Sequence, residues 1–350
     1  MSCIWHSFRN SGKRHLLVTG SRGSGKTTLL TSFFPQPVPG VTTWAQPQEA
    51  VWLAENLTQS KAQIGRFNGA LTGESNRMEP IFEGFTELGV PALERCITAD
   101  REWAMIDEIG YLECGCTAYC DAIRRLMEHK RLIAAVRKQD LPFLTELCAR
   151  DDVFVVNLDA LFGQMACVIM ASGEGKRFGS NKLMADFAGQ PMITRALNAT
   201  DGLFAKRVVV TRHEDVAALC RERSIHVIQH AFPHRSDTVR LGMEAIGEAD
   251  GCLFLSGDQP LLRRETIAAL LLCAANAPAA IWRTVHQGTH GAPVWFPKRF
   301  FDELLTLPEG MGGSYVIRQH PQLVRTLEAD DPRELMDVDS PNDLAKLLNM

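Results

Sequence analysis

The sequence predicts an α/β protein of two domains, and three observations carry that reading. A complete G-x-x-x-x-G-K-[ST] loop runs from Gly20 to Thr27, directly after the apolar run Leu16 to Val18. A second apolar run, Trp103 to Ile106, ends in Asp107-Glu108. A second glycine-rich loop, Ala171 to Leu183, follows a fresh apolar run that starts at Met165. Strand, glycine-rich turn and helix in that order present backbone N–H groups to phosphate at one edge of a parallel sheet. The length agrees, because 350 residues can bury two separate cores.

The first domain is expected over residues 1–161. Gly20, Gly23 and Gly25 let the backbone close around phosphate oxygens where a Cβ would clash. Ser24 and Thr28 complete the nucleotide-binding set. Lys26 can reach the β- and γ-phosphates, and the Thr27 hydroxyl can bind Mg²⁺. The helix is expected from Thr28 to Phe34. Asp107, at the end of a buried strand, is the partner Mg²⁺ ligand, and Glu108 is placed to orient an attacking water. Arg131 to Val136 and Val153 to Val156 read as further strands, separated by a helix over 142–149. Such alternation argues for a mostly parallel sheet with helices on both faces. Residues 35–81, with prolines, many polar residues and two tryptophans, show no clear period and read only as mixed loop, strand and helix.

Gly20 to Thr28, the Asp107-Glu108-Ile109-Gly110 stretch and the final strand to Asp159 resemble the small nucleoside-triphosphatases of the thermophile and cancer-related type. The resemblance covers roughly residues 14–159. It implies a P-loop NTPase domain that hydrolyses ATP, GTP and similar nucleotides with Mg²⁺. Residues 35–95 do not match it cleanly, so no base preference carries over.

The second domain is expected over residues 165–350. Its loop reads G-x-G-x-x-x-G from Gly173 to Gly179, against the G-x-G-x-x-G that opens directly into a helix in dinucleotide sites. The next helix is expected only near Pro191. A long loop carrying Arg177 and Lys182 suits a wrapped triphosphate instead. The loop resembles the signature of the molybdenum cofactor cytidylyl- and guanylyltransferase family, with Ser172 in place of a second alanine. More matches follow in order: Ser236 to Arg240 with Gly242, Gly251 to Pro260, Gly291 to Val294, and Asp337 to Asp343.

That resemblance implies a Rossmann-like, GT-A-like nucleotidyltransferase. It gives Ala171, Ser172, Gly173, Gly175, Arg177, Lys182 and Ser236 to the nucleotide, with CTP fitting better than GTP. It gives Asp258 to the metal, with Asp339 as a second ligand; Ser340-Pro341 also makes Asp339 a plausible helix-start acid. Arg177, Lys182 and Asp258 carry catalysis here, as Lys26 and Glu108 do in the first domain. The acceptor implied is molybdopterin, and the client a molybdenum hydroxylase. Transfer to another phosphorylated acceptor, or a nucleotide-dependent chaperone without transfer, remain the rival readings.

Composition narrows the partners. A formal charge of −4 does not point to binding of nucleic acid or acidic membranes. No run reaches the length of a spanning helix, and residues 1–13 lack the apolar stretch of a signal peptide. A cytoplasmic protein is expected, with its 10 cysteines as free thiols. Cys114-x-Cys116-x₃-Cys120 lacks a nearby fourth ligand, and His226, His230, His234, His286 and His290 lack paired metal spacing.

Overall fold

The computed structural model describes residues 2–71, 77–175 and 177–348. The chain forms two compact units, Ser11–Leu161 and Phe162–Met350, and the second also takes in Ser2–Asn10. Ser2–Asn10, expected in the first domain, therefore belong to the second. They form a helix whose Phe8 and Ile4 are buried. It lies on the helix Arg264–Asn276, where the Ser7 hydroxyl donates to the Ala269 carbonyl at 2.9 Å.

The first unit is built on an eight-stranded sheet. Strand His15–Gly20 lies between Arg131–Arg137 and Val153–Asn157, and all three run parallel. Leu16, Leu17 and Val18 have no exposed surface, as a strand covered on both faces requires. Trp103–Ile109 and Gly40–Gln46 extend the parallel row. An antiparallel meander, Ala50–Glu55, Lys61–Phe67 and Met78–Pro80, completes the sheet. Four strands thus occupy 35–81, where the sequence showed no period. Their outer faces are polar and partly exposed, so no long apolar run marks them. The first helix spans Lys26–Ser32, two residues earlier than expected; Pro142–Ala149 forms as expected, with proline in its first turn.

The second unit holds a seven-stranded sheet. In spatial order its strands are His226–Gln229, Lys206–Thr211, Met165–Ala171, Gly251–Ser256, Thr289–Pro297, Ile281–His286 and Val324–Glu328. The first four are parallel, and Thr289–Pro297 runs antiparallel beside the fourth. The chain leaves Met165–Ala171 to one side and later returns on the other. A crevice opens at such a switch point, beyond the C-terminal ends of the strands. The helix expected near Pro191 starts at Ile193. Pro191 pairs instead with Asp186 in a short antiparallel ladder.

All ten cysteines are free thiols. Among the described residues no helix is long and apolar enough to cross a membrane.

Candidate functional sites

In the first unit the glycine loop wraps as its sequence requires. Gly20, Gly23 and Gly25 have φ of +152°, +80° and +90°. A Cβ on Gly20 would meet the Ser24 hydroxyl at 2.8 Å. Lys26 Nζ donates to the carbonyls of Gly20 and Ser21, both at 2.8 Å, so the cation stands inside the loop. Asp159, given no role by sequence, accepts from the Ser21 amide and hydroxyl at 2.8–2.9 Å and fastens the loop's first turn.

Asp107 and Glu108 sit in a bulge. Pairing with Arg131–Arg137 is regular to Ile106 and shifts by one residue before Ile109. Asp107 is buried, and its Oδ1 has no hydrogen-bond partner among the described residues. Burial pushes its carboxyl up, and the Thr27 hydroxyl beside it pulls it back. Glu108 pairs with the Arg137 guanidinium. Glu113, wholly buried, accepts from the Gly110 amide at 2.8 Å; burial and the nearby Glu108 push its carboxyl up to about 7.

In the second unit a cavity of about 600 Å³ opens at the switch point. Ala171, Ser172, Gly173, Lys182 and Asp258 all line it. Gly175 (φ +59°) packs so tightly that a Cβ would meet the Ser180 carbonyl at 2.8 Å. Lys182 Nζ lies 2.6 Å from Asp258 Oδ2 and 2.9 Å from Asp339 Oδ1, with its side chain only 9 % exposed. Burial alone would lower its pKa, and the two carboxylates more than offset that. Arg177 reaches Asp339 at 3.4 Å from open solvent. Ser256 donates to Asp258 from the strand end. Ser236 lies beside the cavity on the helix Arg235–Ile246 and accepts from the Gly310 amide at 3.2 Å. The rival reading of Asp339 as a helix-start acid falls to Asp343, which accepts from the Ser340 amide at 2.9 Å.

Sequence reasoning missed two members of this site. Asp337 opens into the cavity wall; burial there, then Asp258 and Asp339, push its carboxyl up to about 6. The D-x-D spacing held the signal, because alternate residues of an extended segment share a face. Arg212 donates to the Ser172 carbonyl at 2.9 Å and pairs with Glu174 at 3.3 Å, bracing the loop from the neighbouring strand end. No motif marked it. His230, one of the histidines without paired metal spacing, bonds Ser172 Oγ at 2.9 Å.

A divalent cation suits both sites. In the first, the orphaned Asp107 Oδ1 beside Thr27 supplies hard oxygen donors. In the second, three carboxylates outnumber Lys182 and Arg177. Among the described residues no three His, Cys, Asp or Glu side chains form a ready cage. Mg²⁺ fits such sparse sites, because it keeps waters and takes phosphate oxygens as its remaining ligands.

Residues 45–161 match the family of NTPases, and residues 167–324 match the MobA-like NTP transferase domain. The chain joins an NTPase to a MobA-like NTP transferase. The NTPase match begins downstream of the phosphate loop and includes residues 45–95, where the sequence alone showed no clean likeness. The chain is 28 % identical over 193 residues to the purine catabolism protein PucB of Bacillus subtilis, across half of its own length and 92 % of that protein. It is 32 % identical over 133 residues to the bifunctional protein GlmU of Desulfitobacterium hafniense, across 36 % of this chain and 29 % of that one. It is 35 % identical over 94 residues to the 3-deoxy-manno-octulosonate cytidylyltransferase of Herminiimonas arsenicoxydans, across 25 % of this chain and 38 % of that one. The chain thus spans less than a third of GlmU.

Proposed function

We propose that the transferase unit moves a cytidylyl group from CTP to the terminal phosphate of molybdopterin, and that the NTPase unit hydrolyses a nucleoside triphosphate, in the maturation of molybdenum hydroxylases in the cytoplasm. The observation that carries the transfer reading is Lys182, clamped by Asp258 and Asp339 at the mouth of the switch-point cavity. An acceptor phosphate oxygen attacks the α-phosphorus, a new P–O–P link forms, the bond to the β-phosphate breaks, and pyrophosphate leaves with the electron pair. The nucleophile is already an anion, so no side chain need remove a proton. What the site must supply is positive charge around two anions brought together.

The glycine loop Gly173 to Gly179 offers backbone N–H groups to the triphosphate, with Arg177 at its open side. Lys182, released from one carboxylate, turns to the α- and β-phosphates. Asp258 and Asp339 would hold Mg²⁺, which when bound neutralises phosphate oxygens and the leaving group. In the NTPase unit Lys26 swings from the loop carbonyls to the γ-phosphate, Thr27 and Asp107 would hold Mg²⁺, and Glu108 orients the water. CTP is favoured by the loop's resemblance and by the likeness to a cytidylyltransferase.

Incubation with molybdopterin and each of CTP, GTP, ATP and UTP, following pyrophosphate, tests the reading. Release with CTP and molybdopterin together, and not with either alone, is the expected result. Release only with another acceptor, 3-deoxy-manno-octulosonate among those screened, would replace the acceptor. No pyrophosphate with any acceptor, alongside capture of an apo-hydroxylase, would favour the chaperone reading.

A further inference from the structure

Among the described residues, the wall of the transferase unit's cavity includes a half-buried cation that the nucleotide reading leaves unused. Arg283 lies on the strand Ile281–His286 and lines the same cavity as Lys182 and Asp258. Its side chain is half-buried, its Nε is shielded from water with no hydrogen-bond partner, and no carboxylate pairs with it among the described residues. Burial alone acts on its pKa, lowering it, and no charged neighbour contributes. The other buried or braced cations of the wall are engaged: Lys182 by two carboxylates, and Arg212 by Glu174 and the Ser172 carbonyl. Arg235 stands exposed at the rim.

Position separates Arg283 from the nucleotide loops. It pairs in register with Val294, which pairs with Phe254, so the three form one row across the sheet. Side chains of one row share a face, and all three line the cavity. Arg283 therefore stands two strand spacings from Phe254, roughly 10 Å across the cavity floor. The glycine loop, Lys182 and Asp258 gather at the other side, where Met165–Ala171 and Gly251–Ser256 end.

We propose that Arg283 is the anchor of a second anion subsite in this cavity, which receives the phosphate monoester of the acceptor from the side opposite the glycine loop, so that the attacking phosphate stands between Arg283 and the bound nucleotide. A half-buried guanidinium without a counterion is costly. A planar fork matches two phosphate oxygens, and the ligand's charge would repay the desolvation. The acceptor class follows from this: a molecule with a phosphate monoester and an apolar or aromatic body, because Phe254 and Val294 floor the space beside Arg283. The inference rests on the transfer reading for the identity of the ligand, though not for the subsite itself.

The test uses the full chain, Arg283→Met, and Arg283→Lys as the variant that keeps the charge. Inorganic phosphate is the probe, titrated by calorimetry with ATP and CTP saturating, so that the glycine loops are filled. Wild type should bind phosphate under these conditions. Arg283→Met should weaken that binding at least tenfold, Arg283→Lys less than about threefold, and CTP affinity should stay within twofold in all three. Arg283→Met should melt no lower than wild type, because an uncompensated buried charge has been removed. Absence of phosphate binding by wild type, or equal binding by all three proteins, would overturn the subsite. Equal losses of phosphate and CTP binding would also overturn it, by placing Arg283 in the nucleotide's own site. Failure of pyrophosphate release would count against the transfer reading and leave the phosphate titration standing.

Discussion

Lys182→Met removes the cation at the centre of the transferase site and keeps the length of its stem. Two carboxylates lose their partner, at 2.6 and 2.9 Å. Breaking a buried ion pair by deleting one partner costs about 3–5 kcal/mol. Asp258 is 15 % exposed and counts in full, but Asp339 is 48 % exposed and water screens it. The lower end, about 3 kcal/mol, is therefore expected. For a unit of this size that corresponds to roughly 6–12 °C in Tm. The deficit should depend on pH. Without Lys182 the carboxyls of Asp258, Asp337 and Asp339 repel, and Asp337 already titrates near 6 in the native site. The Asp337 carboxyl, pushed up by burial and then by Asp258 and Asp339, loses the opposing pull of Lys182, so the folded variant holds that proton more readily and recovers stability as pH falls below about 6. Scanning calorimetry at pH 5.5 and 7.5, with wild type alongside, reads both effects. Pyrophosphate formation should fall on the order of a hundredfold at pH 7.5. A variant that melts within 2 °C of wild type at both pH values would refute the clamp and make Lys182 a screened surface charge.

Three further outcomes are expected. Lys26→Ala should abolish NTP hydrolysis and leave pyrophosphate formation within about twofold; parallel loss of both from a folded protein would show that the two chemistries depend on each other. Glu113 titrates near 7 when folded and near 4.5 when unfolded, so the native state holds a proton across that window and stability falls as pH rises through it. Glu113→Gln should remove that slope, worth on the order of 3 kcal/mol between pH 4.5 and 8, and urea melts at pH 5 and 8 that keep the wild-type slope would disprove the assignment. Deleting residues 2–10 exposes the pocket filled by Ile4 and Phe8, at about 1.5–3 kcal/mol for each side chain. The melting transition of the transferase unit should drop while NTP hydrolysis persists, and an unchanged transition would mean the helix contributes nothing.

Much of the architecture was legible because it rests on local rules. Buried parallel strands write themselves as unbroken apolar runs, so His15–Gly20, Arg131–Arg137, Met165–Ala171 and Gly251–Ser256 could be placed within a few residues. The glycine loops were equally plain, because backbone at positive φ leaves few alternatives to glycine. The meander over 35–81 was not legible. Its strands are half-exposed and antiparallel, and their pairing is decided by neighbours across the sheet.

The sequence by itself determined two glycine-rich loops and an acid after a buried strand in each half. Each of these depends on residues close together in the chain. Tertiary structure decided what the acids and cations do to one another. Asp337 joined Asp258 across 79 positions only because the sheet brings their segments together. Arg212 and Asp159 brace the loops from strand ends far along the chain. Arg283 became a cation in want of a counterion only once folding had buried it, and Ser2–Asn10 joined the far unit because Phe8 and Ile4 found their apolar surface there. Electrostatics and burial act through space, and a linear sequence carries no record of which distant groups share a wall.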